Sequence, residues 1–175
     1  GPLGALVRVA QTAWLPALAA CMDNLGGAYL ASSQADADAV VAAATAAGAP
    51  RTRCYAVDPD RPPIVPAPLA GGRTSLLSQL ALAPGAPPSL ANLLIDVASA
   101  DRVALAPSDA AARAAVADRG VHSALTPDGA RYQRRGETVT AFPPPLPARV
   151  KPFQAAAGAT PADVKRVAAD ASRAS

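Results

Sequence analysis

Aromatic side chains are scarce in this sequence. One Trp, three Tyr and two Phe make up 3% of the 175 residues. The hydrophobic share is 51%, but much of it is alanine, so a core would be assembled from small pieces that each contribute little on burial. Cysteine is nearly absent. Cys21 and Cys54 stand far apart, with no second pair and no His cluster, so no zinc ligand set forms. They read as two small buried thiols. No apolar run approaches membrane-spanning length and no signal-peptide pattern opens the chain, so a soluble, intracellular protein with no membrane partner is expected. An initiator Met is also missing. "GPLG" at the start reads either as native sequence or as the scar of a cleaved tag.

Catalytic signatures are missing too. There is no G-x-x-x-x-G-K-[ST] loop, no G-x-G-x-x-G and no G-x-S-x-G. The single histidine, His122, falls in an expected strand and reads as structural. "GGRTS", Gly71 to Ser75, has the composition of a phosphate cradle but lacks the strand and long helix around it, so a plain loop is the better reading. Asp36, Asp109 and Asp128 fall at helix starts or in a turn, where local structure accounts for them. No enzyme, cofactor or metal is expected. The formal charge of +3 and a pI near 9.2 permit nucleic-acid contact without requiring it.

What is present is an ordered series of caps and breakers. "TAWLPALAACMDNLGG" predicts a helix from about Trp14, with Pro16 in its first turn and Gly26-Gly27 at its end. "AYLA" reads as a buried strand, Ser33 as the cap of the helix "ADADAVVAAATAA", Gly48 as its stop, and Arg53–Val57 as the next strand. A proline-rich loop occupies 58–72, "TSLLSQLAL" is a short amphipathic piece, and Ser89 is expected to cap "LANLLIDVA". The order then repeats: strand "RVALA", cap Ser108, helix "DAAARAAVADR", stop Gly120, strand "VHSAL". Two strand–helix–strand units predict parallel pairing with right-handed crossovers, hence two related α/β lobes. Beyond the proline-rich "PPPLPARVKP", Thr160, Pro161 and Asp163 mark a helix start, and Val164, Val167, Ala168 and Ala171 follow at seam-like spacing.

"SALTPDGARYQRRGE", Ser123 to Glu137, interrupts this pattern. An Asp-Gly turn is followed by Arg131, Arg134 and Arg135, with "ARYQ" and "ETVTAF" as the strands that follow. Such a stretch is either a solvated hairpin or a surface that meets an acidic partner.

The set as a whole resembles the hinge domain of structural-maintenance-of-chromosomes (SMC) ATPases. "GPLGALVRV" and "AWLPALAACMDNLGGAYLASSQADADAVV" are similar to the opening of that hinge, and "SLANLLIDVASADRVALAPSDAAARAAVA" to its second lobe. "ALTPDGARYQRRG" occupies the place of the family's Thr-x-Asp-Gly hairpin. Within the family the chain looks most like the sixth eukaryotic subunit. The Gly-Gly of condensin and cohesin hinges is missing after Gly136, and "ARVKPF" stands where the sixth subunit has an Arg-Pro-Phe-like exit.

The resemblance implies an α/β, SMC hinge-like fold of two related strand–helix–strand lobes with a C-terminal hairpin and the start of a coiled-coil helix. The lobes would span 1–57 and 89–142, with a proline-rich connection at 58–88, a proline-rich exit at 143–159 and the coiled-coil start at 160–175. It also implies dimerisation without catalysis, the ATPase motifs lying elsewhere in the full protein. The expected partner is the hinge of the fifth eukaryotic subunit, with a homodimer as the lesser reading. Gly26, Gly27, Gly136 and Val139 are the expected partner contacts. Arg131, Arg134, Arg135, Arg149 and Lys151 are the expected contacts to DNA, single-stranded by preference, with Tyr132 as a possible stacking face. A role in DNA repair and recombination, and a nuclear, chromatin-associated location, would follow. The reading from a different class is a stand-alone small-molecule-binding or enzymatic α/β domain.

Overall fold

The computed structural model describes residues 2–147, 149, 150 and 153. The expected helix from Thr160 lies outside the described residues. The chain begins with a short helix, α1 (Leu3–Leu6), and strand β1 (Val7–Val9). Helix α2 (Leu15–Met22) follows, then a tight 3-10 turn over Asp23–Gly27. Pro16 stands in the first turn of α2, where its missing N–H costs nothing. The first repeat is β2 (Tyr29–Ala31), α3 (Gln34–Ala46) and β3 (Cys54–Ala56). After β4 (Leu80–Leu82) and α4 (Leu90–Ala98), the second repeat is β5 (Val103–Leu105), α5 (Asp109–Ala115) and β6 (Ser123–Leu125). The hairpin β7 (Arg131–Arg135) and β8 (Thr138–Phe142) follows.

The two repeats are built alike. Ser33 is extended and its Oγ accepts from the Asp36 N–H at 3.1 Å; Ser108 is extended and its Oγ accepts from the Ala111 N–H at 3.3 Å. Each satisfies a donor that the helix itself cannot. β2 pairs in parallel with β3, and β5 with β6, as crossover units require. β7 and β8 then extend the second sheet antiparallel, in the order β5-β6-β7-β8.

Two expectations are corrected. Ser89 does not cap α4 with its side chain: its backbone is already helical (φ −65°, ψ −10°), Oγ does not take up an N–H of the first turn, and among the described residues it stays buried with no hydrogen-bond partner. Carbonyls of Pro87 and Pro88 accept from Leu90 and Ala91 instead. The amphipathic piece "TSLLSQLAL" divides into a turn at Leu77–Gln79 and the strand β4. β4 forms because β1 is available to pair with it antiparallel, Val7 opposite Leu82. Strand preference here depends on the partner more than on the local residues.

The core is in three linked clusters. The first joins Leu3, Val7, Leu18 and Met22 to Leu90 and Leu94 of α4, and to Val150 and Phe153 of the exit segment. α4 therefore packs on the first lobe although its chain leads into the second. Alanine dominates the second cluster, around Tyr132, between the second sheet and α5. In the third, Ala17 of α2 meets Leu76, Val103 and Leu125 on the other face of that sheet. α2 is thus the element shared by both lobes.

The Asp-Gly turn is not a solvated tip. Thr126 Oγ1 donates to the Asp128 carboxylate, which also accepts from the Ala130 N–H at 3.3 Å, and Gly129 and Ala130 are buried. Gly129 has φ +88°, and a Cβ there would lie 2.6 Å from Pro145 Cδ and 2.7 Å from the Pro16 carbonyl oxygen. The turn is wedged between the start of α2 and the exit chain. Gly129→Ala combines left-handed strain with a backbone clash and is expected to cost about 3 kcal/mol. Gly48→Ala, at φ +83° but with nothing within 4 Å, is expected to cost only about 1 kcal/mol. Urea unfolding of both variants checks the difference; equal losses would remove the wedge from the argument.

Candidate partner and nucleic-acid interface

Each lobe ends in a strand with an open edge. Among the described residues nothing pairs with the outer side of β8 or of β3. β5, at the other end of the second sheet, is covered instead: Leu76 N–H donates to Val103 O and Leu105 N–H to Thr74 O. The loop between β7 and β8 is Gly136-Glu137, with Arg135 opposite Thr138. Only its first central residue has positive φ, +61° at Gly136, as a type II′ turn requires. In that register alternate residues bond inward to β7, and Val139 and Ala141 turn their N–H and C=O outward. On β3, Arg53 O and Val57 N–H bond to β2, so Cys54 and Ala56 present their backbone groups to the open side. Exposed Phe142, 41% accessible, closes the β8 edge.

The four expected contact residues have different surroundings. Gly26 is buried: the Phe153 ring lies over it, and a Cβ would come within 2.7 Å of Cζ, so the chain's own packing accounts for the glycine. Gly27 is exposed with nothing within 4 Å. Gly136 is exposed at the hairpin tip and is accounted for by the turn. Val139 sends its side chain into the second core while its backbone faces the open edge.

The arginines do not form one strip. β7 runs straight through Arg131–Arg135, so Arg131 and Arg135 share a face and Arg134 lies on the other. Arg134 Nε donates to Gly136 O at 2.8 Å and its guanidinium lies 3.7 Å from Glu137, so it is spent on its own turn. Arg131 is half-buried, its Nε without a hydrogen-bond partner among the described residues. Arg135 is exposed. Arg149 is exposed at the exit, and Lys151 lies outside the described residues. Tyr132 offers no stacking face: it is 3% accessible, and the Arg113 guanidinium sits 5.2 Å from its ring centre. Arg73 of "GGRTS" is ion-paired with Asp118, which removes its charge from any phosphate cradle.

Sequence reading missed other residues. Asn92 is buried and holds the proline-rich loop, its Oδ1 accepting from Ile64 N–H at 2.6 Å and its Nδ2 donating to Pro62 O at 3.0 Å. Ala141 also escaped notice, because only the sheet order shows that it stands at an open edge. Among the described residues no three His, Cys, Asp or Glu come together to hold a metal, and no helix is long and apolar enough to cross a membrane.

Burial governs the titration of the groups near Arg131. The Cys21 thiol donates toward Ala98 O at 3.5 Å and is pushed up to about 11 by burial, the Arg131 charge pulling it partly back. His122 is held below its ordinary value by loss of water first, then by Arg131 and Arg102. Tyr132 is raised, first by loss of water and then by Asp109. A thiol that stays protonated in the fold but ionises when unfolded stabilises the fold fully below pH 9. That stabilisation is lost as pH rises through the folded value near 11. Stability should therefore fall over this range by about 2 kcal/mol from Cys21, on the usual 1.4 kcal/mol per pH unit. Denaturant titrations across that range should show a shallower fall for Cys21→Ala; an identical slope would overturn the assignment.

No family model matches the chain, and no curated protein matches its sequence. Solved structures do match its shape. The S. pombe Smc5/6 hinge domain superposes with a TM-score of 0.63 at 15% identity, over 85% of this chain and 59% of that one. A Pyrococcus furiosus Smc hinge domain with an extended coiled coil gives 0.59 at 13%, over 89% and 55%. The Geobacillus stearothermophilus SMC hinge domain, solved as an asymmetric dimer, gives 0.59 at 12%, over 89% and 64%. The chain spans less than two thirds of each of these three. With its two parallel strand–helix–strand units and its added hairpin, this chain has the fold of an SMC hinge domain.

Proposed function

We propose that this chain is the dimerisation hinge of an SMC protein. The observation that carries the reading is the open outer edge of β8 on a hinge fold, with the backbone of Val139 and Ala141 turned outward and Phe142 exposed at its end. An unpaired edge is a template for a strand from another chain. The open edge of β3 on the other lobe supplies a complementary site, so two hinges could close on one another through both. Resemblance to the sixth eukaryotic subunit makes the hinge of the fifth subunit the partner, with the pair acting on chromatin in the nucleus in repair and recombination. ATP binding would belong to other parts of the full protein.

Ala141→Pro removes one outward N–H while leaving the inward ladder intact. Mass in solution, for the chain alone and mixed with the fifth-subunit hinge, should show a two-chain particle that this variant loses. A wild-type chain that stays single in both cases would sink the reading.

DNA contact forms the second part of the proposal, and the exposed Arg135 supports it. Arginine grips phosphate through its planar fork. Single-stranded DNA should bind weakly, with affinity falling steeply as salt rises. Arg135→Ala should reduce the slope of that fall by about one unit, whereas Arg134→Ala should change little. Equal slopes for wild type and Arg135→Ala would return Arg135 to the solvent.

A further inference from the structure

Between the two repeats the chain crosses the surface as "PPIVPAP", Pro62 to Pro68, with no helix, strand or turn along it. Proline fixes its own φ, and it holds the residue before it extended, which covers Val65 and Ala67. Ile64 is the one residue of the run that no proline constrains in this way. Asn92 supplies the missing constraint. Its Oδ1 accepts from Ile64 N–H at 2.6 Å and its Nδ2 donates to Pro62 O at 3.0 Å, so one buried amide grips the backbone on both sides of Pro63. At the far end Leu69 is buried in the second cluster with φ −65° and ψ 146°, the dihedrals of polyproline II. The run is thus tethered at both ends and held extended between them.

What this strap displays is apolar. In a polyproline II helix every third residue shares a ridge. Pro62, Val65 and Pro68 form such a ridge and all three are exposed, Val65 at 91%. Strand addition does not suit it: the prolines have no N–H, and that of Ile64 is spent on Asn92. An aromatic-lined groove does suit it, because such a groove takes a stiff, donor-poor helix and meets one here that is already ordered. The prolines after β8 are not an equivalent ligand, since Pro145 packs on Gly129 and the backbone is helical again at Pro147. We propose that Pro62–Pro68 is a docking strap for a partner protein whose groove recognises polyproline II, with Asn92 as the residue that presents it. The strap uses neither open strand edge, so it stands independently of the dimer reading.

The probe is an array of purified SH3 and WW domains, screened against the whole chain and against its Val65→Glu variant. Val65 is exposed, so the variant should keep its fold, which its circular dichroism melt verifies. At least one domain should bind the wild type, and Val65→Glu should weaken that binding by about tenfold or more, since a charge replaces the side chain at the centre of the ridge. A free peptide of residues 58–72 lacks Asn92 and should bind the same domain about fivefold or more weakly than the folded chain, because the groove must then order it. No domain bound, or a bound domain indifferent to Val65→Glu, overturns the proposal. A peptide that binds as tightly as the folded chain overturns the role given to Asn92.

Discussion

The fold depends on two places where the exit chain touches backbone that carries no side chain. Pro145 passes over Gly129, which the Pro16 carbonyl crowds from the other side, and the Phe153 ring lies on Gly26. A methyl group at either position would meet an atom within 3 Å. These contacts draw the exit segment from the second lobe, across the start of α2, back into the first core. Leu3 near the beginning of the chain and Phe153 near its end are buried in one cluster as a result. The Asp-Gly turn is therefore a junction between three segments, and its hydrogen bonds hold the glycine in a left-handed conformation with no side chain in their way.

The composition explains why such joints carry weight. In the second cluster six of the nine buried residues are alanines, each of which buries about one methyl group's worth of apolar surface. A leucine would contribute two to three times as much. With so little burial per residue, the second sheet relies on α2 to cover its other face through Ala17, Leu76, Val103 and Leu125. Covering the open β8 edge and exposed Phe142 with a partner would add the apolar surface that a small-residue core cannot supply. The weakness of the core and the proposed pairing are two sides of one constraint.

Local signals were legible wherever the chain satisfies itself. Ser33 and Ser108 cap helices as their positions indicate, Gly48 directly follows the end of its helix, and both strand pairs that flank these helices are parallel, whereas α5 ends at Ala115, four residues short of the stop expected at Gly120. Ser89 misled because two prolines before it already complete the turn. The arginine cluster misled in part because closeness in sequence is not closeness in space on a strand. Arg134, though exposed, is bonded to its own turn, Arg131 is half-buried near Cys21, and Arg135 is exposed.

The sequence by itself determined the repeat, its caps and stops, and the hairpin with its glycine-bearing turn, because each depends on a handful of neighbouring residues. Tertiary structure alone decided that β4 is a strand, since it needs β1 beside it. It placed α4 on the first lobe, because the wide apolar face of that helix is met there by Leu3, Leu18 and Phe153. It also decided which edges stay open, because sheet order is set by contacts between residues far apart in the chain. An open edge is a property of what is not beside a strand, and no stretch of sequence can record that.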